Sequence, residues 1–244
     1  MTPVELQFSR NFSEFSLDFS FNDRQMSQFR IFYLNLIEWN RVMNLTSVDD
    51  EEGVYTKHFL DSLSLLKSVS RGTFCNNYTV IDVGTGAGFP GLPLAIAFPY
   101  VKFTLLDSLG KRIRFLEDTI QKTEIHNVEC IHGRAEDLAR NSAYREHYDL
   151  AVSRAVAGLN VLNEYCLPFV RKGGLFISYK SDKAMEELDR GIKSGKKLGA
   201  CLENTESFVL PGTDYKRTFV IFRKTSLTPL KYPRRAGIPT KDPL

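Results

Sequence analysis

The chain has little that a metal or redox centre requires. Its four cysteines, Cys75, Cys130, Cys166 and Cys201, include no Cys-x-x-Cys pair, and its four histidines, His58, His126, His132 and His147, no His-x-x-x-His. That spacing argues against a zinc site or a disulfide framework and predicts buried, reduced thiols and no metal. No apolar run approaches the roughly 20 residues that span a bilayer. Met1-Thr2-Pro3-Val4-Glu5-Leu6 lacks the basic and apolar regions of a signal peptide, so a cytoplasmic protein is expected. No internal repeat or low-complexity tract is visible. No Ser/His/Asp or Cys/His set stands out, which leaves covalent catalysis without its parts.

What is present is ordinary globular composition, 43% hydrophobic and 25% charged, over 244 residues. That length predicts one large domain with an added segment. Net charge is only +3, but it is unevenly spread: −4 over residues 1–70, −1 over 71–170 and +8 over 171–244. A basic last third points to a polyanionic partner.

Residues 1–20 have no clear period and are expected to be a frayed start or short helix. Asn22-Asp23-Arg24-Gln25 reads as an N-cap with Gln three residues on. Phe29, Phe32, Tyr33, Leu36 and Ile37 then line one face of a helix ending near Asn40. A further helix starts among Asp49 to Glu52, where acids suit the helix dipole, and carries Tyr55, Phe59, Leu63 and Leu66. His58 and Asp61 fall at i, i+3 on it, an interhelical polar contact more readily than a catalytic dyad. Residues 1–70 are thus expected to form an N-terminal helical cap without chemistry of its own.

From residue 78 strands and helices alternate. Strands are predicted at 79–83, 101–107, 128–132, 148–153 and 175–179, with a closing hairpin near 206–210 and 218–223. A lysine-rich helix fills 182–199. The pattern predicts an α/β fold, a Rossmann-like, mostly parallel seven-stranded sheet with helices on both faces and an antiparallel edge.

The first strand leads into Asp82-Val83-Gly84-Thr85-Gly86-Ala87-Gly88-Phe89-Pro90-Gly91, a tight loop that lets a ligand approach bare backbone. Gly86 to Gly91 is a literal G-x-G-x-x-G, with Asp107 at the distance of a ribose-binding acid, so a dinucleotide and S-adenosylmethionine both fit. Asp82 repels pyrophosphate and suits a cationic methionine end. Pro90 and Pro93 remove donors that a phosphate needs, and the first glycine, Gly84, comes two residues before the dinucleotide pattern begins. S-adenosylmethionine is therefore the expected cofactor, its ribose on Asp107, which makes residues 71–244 a methyltransferase domain with a basic tail. Ala135 and Glu136, after the third strand, stand where such a site holds adenine, although Glu136 reads equally as a helix-start acid.

Residues 82–95 resemble the signature of the bacterial small-subunit ribosomal RNA guanine-N7 methyltransferases, also called the glucose-inhibited division protein B family. Further marks follow in order: Trp39-Asn40 with Asn44-Leu45-Thr46, His58-Phe59-Leu60-Asp61-Ser62-Leu63, Gly133-Arg134-Ala135-Glu136, Ser153-Arg154-Ala155-Val156-Ala157 and Tyr232-Pro233-Arg234-Arg235-Ala236-Gly237-Ile238-Pro239. The resemblance covers about residues 30–240. It implies cofactor contacts at Gly84, Phe89, Ala135, Glu136 and Arg154, and 16S ribosomal RNA or a small-subunit assembly intermediate as partner, with the protein a monomer.

Guanine N7 carries a lone pair and no proton, so no general base is needed and catalysis is expected to rest on positioning. Ser153-Arg154-Ala155-Val156 replaces the Asn/Asp-Pro-Pro-aromatic motif of many amino-directed enzymes. Arg154 is expected to bind the methionine carboxylate or guanine O6. Lys193, Lys196, Lys197, Lys216, Arg217, Arg234 and Arg235 are expected to track phosphate, with Tyr215, Tyr232 and Phe89 as stacking candidates. The alternatives are a small-molecule methyltransferase, a nicotinamide-dependent reductase and a non-catalytic RNA-binding module that keeps the cofactor site.

Overall fold

The computed structural model describes residues 1–15, 19–154, 156–181 and 184–244. The chain opens with helix α1 (Pro3–Ser13), where the Thr2 hydroxyl accepts from the Glu5 N–H and the Glu5 carboxylate accepts from the Thr2 N–H. Helix α2 (Asp23–Met43) starts with the same reciprocal pair between Asn22 and Gln25. It runs three residues past the predicted end, to Asn44 in the left-handed region at φ 48°. Helix α3 (Glu51–Val54), capped by Asp50, widens into a π-helical stretch, Tyr55–Leu60, before α4 (Asp61–Leu63). There the Asp61 N–H reaches back to the Thr56 carbonyl, five residues earlier.

The strands and their helices follow in order: β1 (Thr79–Val83), α5 (Gly91–Ala97), β2 (Lys102–Asp107), α6 (Gly110–Thr123), β3 (Val128–His132), α7 (Ala135–Leu138), β4 (Tyr148–Arg154), α8 (Leu159–Cys166), β5 (Val170–Lys180), α9 (Ala184–Lys197), β6 (Ala200–Val209), β7 (Lys216–Lys224) and α10 (Ile238–Lys241). They form one seven-stranded sheet in the order β3-β2-β1-β4-β5-β7-β6. The first five strands are parallel, and β7 is antiparallel to both of its neighbours. The predicted hairpin is present, but its antiparallel strand lies inside the sheet and β6 takes the edge. Strand order reverses between β1 and β4, and ligands of open α/β sheets bind at the carboxyl ends of the strands beside that reversal.

Alternate residues of each strand face opposite sides. Val80 and Leu105 join a core with Phe29, Phe32, Phe59, Leu92 and Phe115, so the N-terminal helices share one core with the sheet and α5–α6. Ile81, Val83 and Leu106 face the other side, with Leu159, Leu162, Phe169, Phe222 and Tyr232. All four cysteines are free thiols, as expected, but the expected burial fails at two: Cys75 and Cys201 are exposed, while Cys166 is buried and Cys130 half-buried.

The segment after β7 is fastened by buried charges. Lys224, fully buried, donates to Glu146, Thr228 and the carbonyls of Leu167 and Val170. Arg145 donates to the carbonyls of Thr228 and Tyr232, and Arg140 to that of Pro233.

Candidate functional site

The loop after β1 is held by its own backbone and two carboxylates. Gly84, at φ 74°, and Thr85 both donate to the Leu106 carbonyl, and the Gly86 N–H donates to Asp107 Oδ2 at 3.0 Å. Asp82 is fully buried, and its Oδ2 accepts from Thr85 Oγ1 at 2.7 Å and the Gly91 N–H at 2.8 Å. Burial pushes its carboxyl up to about 6 against those two hydrogen bonds. Asp82 therefore braces the loop from behind; it does not line the cavity, which corrects its expected part as partner of a cation.

At the start of α5 the donors are already used. The Leu92 and Leu94 N–H groups bond the Gly88 and Pro90 carbonyls, the Gly91 N–H is held by Asp82, and Pro93 has none. A phosphate finds no donor there, as the prolines imply. At Gly91 a Cβ would stand 2.2 Å from Leu105 Cδ2, so only glycine lets α5 pack on β2, whereas a Cβ at Gly86 would meet nothing within 4 Å.

The bare face of Gly86 opens on a cavity of about 420 Å³ at the β1/β4 reversal. Gly84, Phe89, Asp107 and Arg154, four of the predicted residues, line it together. Asp107 sits at the floor, 2% exposed, and accepts from the Gly86 and Leu109 N–H groups and from Arg112 Nη1 at 3.1 Å. Phe89 is buried against Phe32 and stacks on His58, with ring centroids 4.5 Å apart, while the Arg154 guanidinium lies 5.1 Å from its centre. Phe89 is thus a wall of the cavity and not a stacking platform for RNA.

Arg154 is fixed by the Lys57 carbonyl and by Asp61 Oδ2 at 2.8 Å; the other Asp61 oxygen accepts from Arg217 Nε at 2.7 Å. Asp61, 3% exposed, so pairs with two arginines rather than with His58. His58 places Nε2 2.8 Å from Thr46 Oγ1 and Nδ1 3.3 Å from Arg154 Nη2. Burial and the Arg154 charge bring it down to about 4, so its ring is neutral at neutral pH. Leu45 and Thr46 join His58 in the cavity wall, which corrects the expectation that the N-terminal segment carries no chemistry. The Asn44-Leu45-Thr46 and His58-to-Leu63 motifs are the sequence signals for it; nothing local marks Arg112.

Ala135 and Glu136 lie outside the cavity wall. The Glu136 carboxylate turns away and accepts from the Gly237 N–H at 2.9 Å, tying α7 to the tail. Two basic residues also leave the expected phosphate track. Arg234 bonds the fully buried Glu164 through Nε and Nη2, and Arg217 is held by Asp61. Tyr232 is buried, so it is not a stacking platform either. A second cavity, about 490 Å³, adjoins the first and shares His58 and Arg154 with it.

Residues 25–215 match the family model described as rRNA small subunit methyltransferase G. A protein of Lachnoclostridium phytofermentans named ribosomal RNA small subunit methyltransferase G is 50% identical over 229 residues, 94% of this chain and 93% of its own. One of the same name from Exiguobacterium sibiricum is 48% identical over 238 residues, 98% of each chain. Among solved structures, the YcgJ protein of Bacillus subtilis superposes with a TM-score of 0.52 at 13% identity, over 69% of this chain and 100% of its own, a likeness of fold. The chain belongs to the rRNA small subunit methyltransferase G, or GidB, family.

Proposed function

We propose that this protein transfers a methyl group from S-adenosylmethionine to N7 of a guanine in 16S ribosomal RNA, working in the cytoplasm as a monomer. The observation that carries this reading is the cavity at the β1/β4 reversal, with a carboxylate at its floor and a helix start whose donors are all used. The start of α5 offers a pyrophosphate no free N–H. A ribose diol has Asp107 to donate to, and Gly86 leaves the loop backbone bare to a ligand, whereas Gly84 is covered by Val156. Phe89 closes one side. Ala135 and Glu136, just outside that cavity after β3, meet the adenine end through their backbone, the Glu136 side chain being taken by Gly237. No helix of the described residues is long and apolar enough to cross a membrane.

When bound, S-adenosylmethionine supplies an electrophilic methyl group on a cationic sulfur. The chain's own contribution is placement. Phe89 and His58 form a stacked apolar wall that excludes water from the space beside Arg154. His58 stays neutral, so it adds no charge next to a sulfonium, and it takes no proton because N7 gives none up. Arg154, locked by Asp61 and the Lys57 carbonyl, marks the boundary between the two cavities. Alignment of this kind is worth about 7–11 kcal/mol in favourable cases.

The test is transfer from methyl-labelled S-adenosylmethionine to naked 16S rRNA and to small subunits lacking the modification, followed by digestion to nucleosides. Label in 7-methylguanosine is expected. Label in any other nucleoside, or cofactor binding without transfer to either substrate, would overturn the reading.

A further inference from the structure

The cavity beyond Arg154 ends on a pair of charged side chains that the cofactor site does not use. Lys180, the last residue of β5, and Glu187, in the first turn of α9, pair with each other in its wall, with Lys180 Nζ 3.1 Å from Glu187 Oε2 and 3.3 Å from Oε1. The pair is held from behind: Lys180 also donates to the Ala157 carbonyl at 2.8 Å, and Glu187 Oε2 accepts from the Leu159 N–H at 2.5 Å. Lys180 is 12% exposed and Glu187 30%. Among the described residues Glu187 Oε1 has only the longer lysine contact, so a carboxylate with about four acceptor positions still has capacity toward the cavity. The same cavity is lined by His58 and Arg154, which it shares with the cofactor cavity.

The geometry points to Lys180 and Glu187 as the residues that read the target base, an inference that rests on the function proposed above. Guanine presents, on its Watson–Crick edge, one acceptor (O6, next to N7) and two donors (N1–H and the N2 amino group). Lys180 donates to O6 and Glu187 accepts from N1–H and N2–H, while N7 points past Arg154 toward the cofactor cavity. Adenine reverses the pattern. Its N6 amino group meets a lysine that can only donate, and its N1 lone pair meets a carboxylate that can only accept. A mismatched, desolvated donor or acceptor discriminates more strongly than a lost contact. The pair therefore selects guanine without touching the atom that is methylated, and a base seated this way must leave any helix it belongs to.

The experiment uses small subunits reconstituted with 16S rRNA carrying, at the target position, guanosine, inosine (no N2 amino group) or 2-aminopurine riboside (no O6 and no N1–H). Initial methyl transfer from S-adenosylmethionine is measured for the wild type, Glu187→Gln and Lys180→Gln. The wild type is expected to prefer guanosine over inosine by about ten- to a hundredfold, the range for a hydrogen bond to a charged group. Glu187→Gln is expected to reduce that ratio to within about threefold of unity, and Lys180→Gln to erode the preference over 2-aminopurine, with cofactor affinity unchanged in both. A brace between β5 and α8 alone would lower all three rates together, and unchanged ratios in either folded variant overturn the inference. Should one variant fail to fold, the other decides by its own ratio. No transfer to guanosine by the wild type overturns the function itself, which is a separate outcome.

Discussion

Asp82 and His58 both resist ionising, and this gives them opposite effects on stability. Asp82 reaches about 6 in the folded chain, so between roughly pH 4 and 6 the folded state keeps a proton that the unfolded state has released. Its contribution to stability is lost as pH rises through that window. His58 falls to about 4, so the unfolded state holds the extra proton between roughly pH 4 and 6.5, and its contribution is lost as pH falls. In the wild type the two nearly offset. Relative to wild type, Asp82→Asn is expected to gain up to ~3 kcal/mol as pH rises from 4 to 6, and His58→Gln to lose a similar amount. Urea unfolding at pH 4, 5, 6 and 7 reads both differences; profiles parallel to wild type would refute the assignment. The loop glycines divide in another way. Gly86→Val sends its side chain into the open cavity from a left-handed backbone, so it should fold at a cost of about 1–2 kcal/mol and lose cofactor binding. Gly91→Ala strikes Leu105 and Asp82 and should instead lower the melting temperature sharply. Calorimetry with S-adenosylmethionine and thermal melts separate the two; equal loss of binding and stability in both would contradict this division.

At the scale of elements, the tail after β7 is a structural strap more than an RNA arm. Arg234 bonds Glu164 on α8, which is fully buried, through its side chain and its own N–H. Arg234→Ala leaves that carboxylate buried without a counter-charge, which typically costs about 3–5 kcal/mol. The side chain is partly exposed, and the retained Arg234 N–H still reaches Glu164, so about 2–3 kcal/mol is the expectation here. Chemical denaturation measures it. Arg235→Ala, at an exposed neighbour, should change stability by less than about 0.5 kcal/mol, and equal effects at both positions would contradict the strap. This is also where the sequence is least legible. The cap of α2 and the β-α alternation are local, so Asn22 with Gln25, or Val80 through Val83, announce themselves; the Thr2–Glu5 cap of α1 is as local but goes unread, since residues 1–20 show no clear apolar period. The partner of Arg234 lies 70 residues away, the π-helical widening at Tyr55 has no local signature, and the insertion of β7 between β5 and β6 depends on the finished sheet. The site divides the same way. Gly84, Asp107 and Arg154 follow strand ends and can be read from pattern, whereas Thr46 and His58 reach the cavity only because the N-terminal helices fold onto it.

For the whole molecule the question is where the +8 balance of the last third becomes usable charge. Four of those charges are met by acids from earlier in the chain: Arg171 by Asp149, Arg217 by Asp61, Lys224 by Glu146 and Arg234 by Glu164. Lys193, Lys196 and Lys197 on α9 are exposed, and none of them forms an ion pair among the described residues. They are spaced i, i+3, i+4, so they share one helix face. The same helix places Glu187 at the second cavity. At 1.5 Å per residue the lysines begin about 9 Å beyond Glu187 and end about 15 Å from it, the reach of two or three nucleotides of backbone. Each phosphate contact contributes about 0.7–0.9 to the slope of log affinity against log salt concentration. The triple change of Lys193, Lys196 and Lys197 to Gln is therefore expected to reduce that slope by about 2–3 and to weaken binding most at low salt, with cofactor affinity intact. The single Arg234→Ala change should leave the slope alone while lowering stability. Titrating labelled 16S rRNA over a salt series with both variants decides the matter: a slope unmoved by the triple change, or reduced by Arg234→Ala, would place the RNA on a different face of the molecule.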